Sequence, residues 1–506
     1  MNAKAMTNNS TFADSSFRSV ADRDRVFIGG HWVESTGDEW IDVVDPWTEQ
    51  VAARVRSATA DDIARAVLTA RTSFDLGGWS AKSMSERADV IDEIGRRLEA
   101  RLDTLTAIGV LEVGLPVGVS AATQQMTFGL YHSVAAEARR FVPVEERVRA
   151  DGGISRIIRE PTGVVAAIIP WNGPISTLAF KVAPALAAGC SVIVKAAPDA
   201  PLSPAIFADV VSELVDEGRI PEGVVSVVVA DREVSETLVA NSDVDHITFT
   251  GSTAAGRRIA ALASERIARV SLELGGKSAA IILDDADLDH VIQSLPMGSC
   301  MQSGQACVAL TRVLVSEKRH AEVVEALRTA YASLPIGNPW EATSVLGPLA
   351  GARHRDRVQD YINDAVSQGA SIVLGGGQPT GLTQGYFVAP TLLDDVRNDM
   401  RIAQEEVFGP VISVITYRNE DEAVGIANDS IYGLSGAIYT ENMERGYSLA
   451  RRIRTGTVSV NDLVIDFTLP FGGYKQSGIG REGGIEGLEE FLEVKTVHMP
   501  SVADTH

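Results

Sequence analysis

Cysteine is scarce in this chain: Cys190, Cys300 and Cys307 are the only three, too few and too scattered for a disulfide framework. None forms a C-x-x-C pair, so the cysteine spacing of a structural zinc site is also lacking. A sparse, odd set of thiols fits a reducing compartment. We therefore expect a cytoplasmic protein.

Positive charge and long apolar runs are also in short supply. The 506 residues carry 45 Lys and Arg against 67 Asp and Glu, a net charge of −22. Nucleic acids and anionic membranes need a basic face, so we expect neither as a partner. The apolar run 163–170 is far shorter than the ~20 residues that cross a bilayer. Residues 1–20 lack the apolar core of a secretory signal and are predicted to be a flexible tail.

Apolar segments that alternate with helical ones dominate the chain from residue 162 onward. Strands are predicted at 163–170, 191–195, 224–230, 246–250 and 268–274. Buried strands between helices indicate a parallel sheet covered on both faces, with ligands at the carboxyl ends of its strands. The alternation resumes after 274, which predicts a second α/β domain and an α/β fold class. Before 162, apolar spacing predicts helices at 83–105 and 121–140.

One segment, 144–161, has a different pattern. Two alternating stretches flank Asp151-Gly152-Gly153, which predicts a β-hairpin. Its many Arg and Glu residues give it little core of its own. The hairpin is either an exposed surface ribbon or an element that packs on another subunit.

Glu273 and Cys307 carry the chemistry of most interest. A cysteine thiolate can attack a carbonyl carbon, and a glutamate can activate the water that releases the product. Each has an ordinary interpretation too, because a cysteine between Ala and Val is usually a small buried hydrophobe and a strand-end glutamate is usually solvated. The predicted position of Glu273 at the carboxyl end of a parallel strand favours a functional role.

Other polar groups follow predicted strands of the same sheet. Asn172 comes after 163–170 and could stabilise an oxyanion, although asparagine is also common in turns. The segment 249–256, FTGSTAAG, opens a helix whose N-terminus favours phosphate. Lys195 ends a strand, where it could reach ribose or phosphate oxygens or remain solvated.

Three further polar segments have less specific patterns. Glu405 and Glu406 precede an apolar turn; one could hold a ribose, or both could be solvated. The glycine-rich segment 470–482 is either a structured functional loop or a flexible one. The acidic run 284–289 lacks the spacing of a calcium loop, so no metal site is predicted.

Six short motifs occur in the following order along the chain: PWN (170–172), FTGS (249–252), LELGGK (272–277), GQ-x-C (304–307), E-x-FGPV (406–411) and PFGG-x-K-x-SG-x-GRE (470–482). Together they resemble the motifs of the aldehyde dehydrogenase superfamily, in its NAD(P)-dependent, non-acylating form. The resemblance covers about residues 25–500. It implies an enzyme that oxidises an aldehyde to a carboxylic acid.

The resemblance implies roles for individual residues. Cys307 is the implied nucleophile, Glu273 the general base that releases the product, and Asn172 the oxyanion donor together with the Cys307 backbone N–H. The positions that match cofactor contacts are Ile169, Trp171, Lys195, Pro198, Gly251, Ser252, Glu406 and Phe408. The positions that match the substrate tunnel are Gly173, Phe180, Leu463, Ile465, Phe467 and Phe471, with Tyr131 and Val464 beside them.

The resemblance also implies a domain organisation. Residues 21–143 and 161–272 would form an NAD-binding domain with a Rossmann-like parallel sheet, and 273–485 a catalytic domain. Residues 144–160 and 486–506 would form an oligomerisation arm. Such an arm implies a homodimer or a homotetramer.

Two departures from the family pattern concern the cofactor. Many members have a glutamate three residues after the lysine, which holds the adenine ribose, whereas this chain has Pro198. A second common motif, G-x-G, is replaced by Val229-Ala230-Asp231. The missing carboxylate removes one barrier to NADP, but no basic pair replaces it and Asp231 would repel a 2′-phosphate. We expect NAD, with NADP as the alternative.

The substrate pattern is apolar. Gly173 stands where many relatives have a large aromatic residue, which predicts a wider pocket. We expect a bulky apolar aldehyde, either aromatic, terpenoid or medium-chain. One alternative is a coenzyme A-acylating enzyme, against which Glu273 argues. The other is a catalytically silent binding or structural relative, which should have lost Cys307 or Glu273.

Overall fold

The computed structural model describes residues 22–466 and 468–500. Its apolar, β-branched segments form twenty strands among the described residues: β1 (Val26–Ile28), β2 (His31–Val33), β3 (Trp40–Val44), β4 (Val51–Arg56), β5 (Val144–Val148), β6 (Ile154–Pro161), β7 (Val164–Ile168), β8 (Ser191–Ala196), β9 (Val225–Val229), β10 (His246–Thr250), β11 (Arg269–Glu273), β12 (Ala279–Ile282), β13 (Arg312–Ser316), β14 (Ser371–Leu374), β15 (Thr391–Asp394), β16 (Val411–Tyr417), β17 (Gly436–Tyr439), β18 (Ser459–Val460), β19 (Gly478–Ile479) and β20 (Leu492–His498).

Helix starts follow the capping chemistry of the sequence. The Thr59 hydroxyl accepts the Asp62 N–H, and the Asp62 carboxylate accepts the Thr59 N–H, which makes a capping box. The α-helices are α1 (Ala60–Leu76), α2 (Met84–Glu99), α3 (Leu102–Val113), α4 (Val117–Arg140), α5 (Pro174–Ala188), α6 (Leu202–Asp216), α7 (Arg232–Ala240), α8 (Thr253–Ser264), α9 (Leu288–Cys300), α10 (His320–Ala332), α11 (Ala352–Ser367), α12 (Arg401–Gln404), α13 (Glu420–Asn428), α14 (Met443–Ala450) and α15 (Gly484–Glu489). In the part of the chain described, no helix is long and apolar enough to cross a membrane.

The first sheet has eight strands in the order β19-β11-β10-β7-β8-β9-β1-β2. The strands from β11 to β9 run parallel, as the alternation of segments predicted. Successive residues of β7 enter different cores: Val165 and Ala167 pack in one, Val164 and Ala166 in the other. Apolar side chains therefore cover both faces of the sheet, which confirms the α/β prediction.

The second sheet has seven strands in the order β14-β15-β16-β13-β12-β17-β18. Every neighbouring pair of strands is parallel except β14 and β15, which are antiparallel. It forms the second α/β unit expected after 274. The chain then returns to the first sheet, where Gly478 and Ile479 of β19 pair with Glu273 and Leu272 of β11. A segment from the end of the second unit thus completes the edge of the first.

The hairpin β5–β6 is part of a three-stranded sheet in the order β20-β6-β5. Val148 pairs with Ile154 next to the predicted turn, and β20 pairs with β6 along its whole length. The two segments assigned to an arm from the sequence therefore lie side by side. The boundaries of the arm and of the two domains stay predictions.

Candidate active site

The carboxyl ends of neighbouring strands bring distant parts of the chain together. Glu273 ends β11 beside Thr250, which ends β10. On the other side of β10, Ile168 ends β7 beside Lys195 of β8. The turn that carries Asn172 follows β7 directly. These groups therefore meet at one edge of the sheet, where open α/β sheets bind their ligands.

A cavity of about 690 Å³ opens at this edge, in the usual size range of small-molecule sites. Its wall contains eight of the residues selected from the sequence, namely Trp171, Asn172, Gly251, Ser252, Glu273, Cys307, Glu406 and Phe408. All three residues proposed for catalysis are among them. The cavity therefore unites the two stretches, around Glu273 and around Cys307, that carried the chemistry.

A turn with left-handed backbone angles precedes Cys307 in the chain. Gln302 and Ser303 have φ of 50° and 57°, a conformation that costs non-glycine residues about 1–3 kcal/mol each. Cys307 follows this turn and is partly exposed. Burial, together with the negative charges of Glu406 and Glu273, raises the pKa of its thiol to about 12. The resting group is therefore the neutral thiol.

The two glycines after Glu273 are needed for close packing. A Cβ at Gly276 would overlap the Cys307 carbonyl oxygen, and one at Gly275 would lie 2.5 Å from a carboxylate oxygen of Glu406. The Gly276 N–H also donates to Glu406 Oε1 at 3.0 Å. The glycines thus let two other segments approach the end of β11.

Glu273 is 4% exposed, and neither of its carboxyl oxygens has a hydrogen-bond partner among the described residues. Burial raises the pKa of this carboxyl well above its usual value, and the nearby charge of Glu482 adds to the shift. Buried polar groups without partners are rare, and strongly shifted carboxyls concentrate at functional sites. Glu273 is therefore suited to exchange protons with a molecule in the cavity.

A buried ion pair lies behind Glu273. Lys181 of α5 is fully buried, and its Nζ donates to Glu482 Oε1 at 2.5 Å and to Thr248 Oγ1 at 3.0 Å. The Lys181 charge favours the ionised form of Glu273, whereas Glu482 opposes it. The pair joins α5, β10 and the glycine-rich segment 470–482, which is therefore structured in this protein.

Asn172 points its side chain at the Cys307 loop. Its Nδ2 donates to the Gln305 carbonyl at 3.0 Å. An amide nitrogen carries two N–H groups, so a second donor is available for a ligand oxygen. Asn172 thereby combines a contact to the Cys307 loop with a place in the cavity wall.

Several features of the wall fit a dinucleotide. The N-terminus of α8 lies at Ser252 in the wall, where helix amides and the helix dipole favour phosphate. Burial raises the pKa of Glu406 to about 7, and its carboxyl oxygens suit ribose hydroxyls. Of the two glutamates noted in the sequence, Glu405 instead accepts the Tyr361 hydroxyl.

Aromatic rings form a further part of the wall. Trp171 meets His354 and Phe408 edge to face, with ring centroids 5.6 and 5.5 Å apart. His354 donates its Nε2–H to the Phe408 carbonyl at 2.7 Å, and burial lowers the pKa of its imidazole to about 4. The cluster is uncharged at neutral pH and offers a flat surface to a ring system.

Three predicted cofactor residues, Ile169, Lys195 and Pro198, lie outside this wall. Burial lowers the pKa of Lys195 to about 8, against the charges of Asp199 and Asp231. Asp199 lines the cavity, whereas its neighbour Pro198 does not. Asp199, the residue after the Pro198 position predicted from the family resemblance, therefore reaches the cavity.

None of the predicted substrate residues that the structure describes lines the 690 Å³ cavity. In the part of the chain that the structure describes, nothing lies within 4 Å of a Cβ built on Gly173, which leaves open space beside it. The rings of Phe180 and Phe471 stack with centroids 6.2 Å apart, and Leu463 packs on Gly298 of α9. Of the other predicted residues, Tyr131 is buried, Ile465 is half-buried and Val464 is exposed, and Phe467 lies outside the described residues.

Helix α11 contributes residues that sequence reasoning missed. Arg353, His354 and Arg357 on its first turns line the cavity, and Arg357 donates to the Glu406 carbonyl at 3.0 Å. The apolar spacing of Val358, Tyr361, Ile362 and Ala365 marks a helix there. That spacing shows which face of the helix is buried. It does not show that the polar face lines the same cavity as Glu273, which ends β11 in the first sheet.

Comparison with known proteins gives a consistent result. The aldehyde dehydrogenase family model matches residues 32–497. Geranial dehydrogenase of Castellaniella defragrans is 40% identical over 479 residues, which cover 94% of this chain and 99% of the relative. The 3-succinoylsemialdehyde-pyridine dehydrogenase of a Pseudomonas species is 40% identical over 474 residues, covering 93% and 97%.

Solved structures agree with the sequence relatives. Mycobacterium tuberculosis aldehyde dehydrogenase, complexed with NAD+, is 41% identical with a TM-score of 0.93 and covers 95% of this chain and 99% of its own. A cysteine-to-alanine mutant of aldehyde dehydrogenase C from Pseudomonas syringae, complexed with NAD+ and octanal, is 38% identical with a TM-score of 0.90, covering 94% and 96%. The family model and the relatives thus span nearly the whole chain, and this chain belongs to the aldehyde dehydrogenase family.

Proposed function

We propose that this protein oxidises a bulky, apolar aldehyde to the carboxylic acid with NAD as the hydride acceptor. The observation that carries the proposal is the pairing of Cys307 with an unpartnered, buried Glu273 in the wall of one cavity. A nucleophile and a proton acceptor with access to the same space can form and then hydrolyse a covalent intermediate.

Cys307 begins the proposed reaction. Its thiol loses a proton to water, and Sγ bonds to the aldehyde carbon as the C=O π bond breaks. The product is a thiohemiacetal whose oxygen is an oxyanion, which Asn172 Nδ2 and the Cys307 N–H hold by hydrogen bonds. NAD, when bound, supplies a cationic ring that favours the thiolate and accepts the hydride. Loss of the hydride restores the C=O bond and leaves a thioester on Cys307.

Glu273 completes the proposed reaction. As a carboxylate it takes a proton from water, whose oxygen bonds to the thioester carbon. The carbon–sulfur bond then breaks, the Cys307 thiol is restored, and the acid leaves. The raised pKa of Glu273 suits this role, because it makes the carboxylate a stronger base towards water.

The proposed cofactor contacts follow from the wall. The α8 N-terminus at Ser252 would hold a phosphate, Glu406 a ribose, and the Trp171–Phe408 surface a ring. Asp199 and Asp231 near Lys195 support NAD over NADP, because both carboxylates oppose an added phosphate.

The proposed substrate class is supported by the open space at Gly173 and the stacked rings of Phe180 and Phe471. The names of two relatives point the same way, since geranial and octanal are both apolar aldehydes. Replacing Gly173 by Leu should therefore lower kcat/KM about ten-fold or more for a bulky aldehyde and much less for a short one. Equal losses across a panel of aldehydes would contradict the assignment.

One assay tests the proposal against both alternatives. NADH formation is followed spectroscopically with a panel of aldehydes, with and without coenzyme A, for the wild type and for Cys307→Ala. We expect turnover without coenzyme A, the acid as product, and no NADH from Cys307→Ala. A strict need for coenzyme A would indicate the acylating enzyme. No turnover on any aldehyde, despite bound NAD, would indicate a silent relative.

A further inference from the structure

Gln305, two residues before Cys307, makes contacts in three directions. It is 1% exposed. Its Oε1 accepts the Ala350 N–H at 2.9 Å, and its Nε2 donates to the Gln302 carbonyl at 3.2 Å. Its own carbonyl accepts the Asn172 amide at 3.0 Å. Both ends of the Gln305 amide and its backbone oxygen are therefore engaged.

The three contacts join functionally different parts of the site. Gln302 belongs to the left-handed turn that leads to Cys307. Asn172 is the oxyanion donor of the proposed mechanism. Ala350 lies in the cavity wall, immediately before the helix that carries His354 and the other α11 residues of the wall. The Gln305 side chain thus links the Cys307 loop with the cavity wall at Ala350.

The turn before Cys307 needs such support. Gln302 and Ser303 both have left-handed backbone conformations, which persist only where the surroundings over-determine them. The Ser303 hydroxyl fixes one side, because it donates to the Gly347 carbonyl at 2.8 Å and accepts the Gly347 N–H at 3.1 Å. Gln305 fixes the other side, next to Cys307 itself.

We propose that Gln305 is a positioning residue, which fixes the Cys307 sulfur and the Asn172 amide relative to each other and to the cavity wall at Ala350. The inference rests on the proposed function of Cys307 as the nucleophile. Gln305 itself touches no reacting atom, so its effect on the rate is indirect. A nucleophile displaced by about 1 Å loses on the order of a hundred-fold in rate.

Two substitutions separate positioning from bulk packing. Gln305→Met keeps the length and burial of the side chain but removes both hydrogen bonds. Gln305→Glu places a carboxyl in a buried position, where its neutral form is favoured. The neutral acid has an acceptor oxygen and an O–H donor, as the amide has, whereas the ionised form has no donor. Gln124→Met is the matched control, since Gln124 is a buried glutamine of α4, 4% exposed.

The experiment measures two quantities on the folded full-length protein. The first is kcat with a good aldehyde substrate at saturating NAD. The second is the rate constant for alkylation of Cys307 by iodoacetamide without cofactor, with the site identified by mass spectrometry. We expect Gln305→Met to lower kcat about ten- to a hundred-fold and to change the alkylation rate constant. Gln124→Met should leave both unchanged. Gln305→Glu should keep near wild-type kcat at low pH and lose it, relative to the wild type, as pH rises.

Each result decides the proposal. Wild-type kcat and alkylation in Gln305→Met would overturn it, and so would a Gln305→Glu pH profile parallel to that of the wild type. If Gln305→Met does not fold, the Gln305→Glu profile alone gives the answer. A wild type without turnover on any aldehyde would reject the proposed function instead, and the alkylation comparison would still show whether Gln305 positions the Cys307 thiol.

Discussion

At the scale of single residues, the cavity disfavours the charged forms of its two reactive groups. Burial raises the pKa of both Cys307 and Glu273, and no cation among the described residues is in hydrogen-bond contact with the Glu273 carboxyl. The thiolate is the species that alkylating agents and oxidants attack. A neutral thiol in the resting site therefore limits unwanted reactions.

The first prediction concerns the alkylation of Cys307 in the absence of ligands. Because its pKa of about 12 lies far above neutral pH, the thiolate fraction rises ten-fold for each pH unit. The rate constant with iodoacetamide should therefore rise about ten-fold per unit between pH 7 and 9. Cys307→Ser should show no comparable labelling, since Cys190 and Cys300 are buried. A plateau near pH 8.5, as for a free thiol, would contradict the prediction.

The second prediction concerns the pH dependence of product release. Glu273 accepts a proton only as the carboxylate, and its pKa is raised, so the active form appears only as pH rises through that higher pKa. The rate of thioester hydrolysis should therefore increase with pH. Glu273→Gln should lower the steady-state rate and remove this rise, and stopped-flow measurements should show a burst of NADH as the thioester accumulates. A full steady-state rate in Glu273→Gln would refute the role.

The presence of these groups in one cavity could be predicted from the sequence, but the shifts of their pKa values could not. Motif order pointed to Cys307, Glu273 and Asn172 together. The pKa shift of Glu273 comes first from burial and then from Glu482 and Lys181, which approach it from a segment near the end of the chain and from helix α5. Such long-range neighbours leave no mark on the local pattern around Glu273.

At the scale of elements, the end of β11 is the most constrained point of the site. The strand stops at Glu273, and after Leu274 the residues Gly275 and Gly276 must be small, because Glu406 and the Cys307 loop pack on their backbone. The strand end thus positions a carboxyl and, through its glycines, sets the distance to the cysteine.

The third prediction compares two glycine substitutions. Gly276→Ala puts a Cβ onto the Cys307 carbonyl oxygen, so it should destabilise the protein by about 1–3 kcal/mol and lower kcat. Gly425→Ala is the control, because Gly425 lies inside α13 with nothing within 4 Å of the added Cβ. It should be neutral or stabilise by about 0.5–1 kcal/mol. Thermal unfolding and steady-state kinetics measure both effects, and equal outcomes would disprove the packing argument.

Strands with a continuous apolar run could be predicted from the sequence, whereas a helix end that has no stop residue could not. The apolar runs at 163–170, 191–195 and 246–250 are the strands β7, β8 and β10. The single helix predicted at 83–105 is wrong, because Ala100 and Arg101 break it into α2 and α3. Neither residue is a glycine or a proline, so the sequence carries no stop signal at the break.

At the scale of the whole molecule, the three-stranded sheet exposes apolar side chains. Val144, Val148 and Ile154 are exposed, and the register places Val148 directly opposite Ile154. An apolar surface of this kind marks an interaction site. It supports the prediction that the arm packs on another copy of the chain.

The fourth prediction tests that assembly. Light scattering after size-exclusion chromatography should give a mass of two or four times the 53.8 kDa chain. The double substitution Val144→Asp with Val148→Asp should shift the mass towards the monomer. Val366→Asp, at an exposed valine of α11, should not. A wild-type monomer, or a double variant of unchanged mass, would contradict the assignment of the arm.

The return of the chain to the first sheet has a consequence for biosynthesis. Strand β11 is made in the first part of the chain, but its outer neighbour β19 emerges only near the end. At about 5–20 residues per second, the Glu273 strand waits roughly ten to forty seconds for that partner. During this time it is an open sheet edge, to which other nascent chains can pair. The sheet edge that carries Glu273 is therefore completed only late in synthesis, and until then it is open to mispairing.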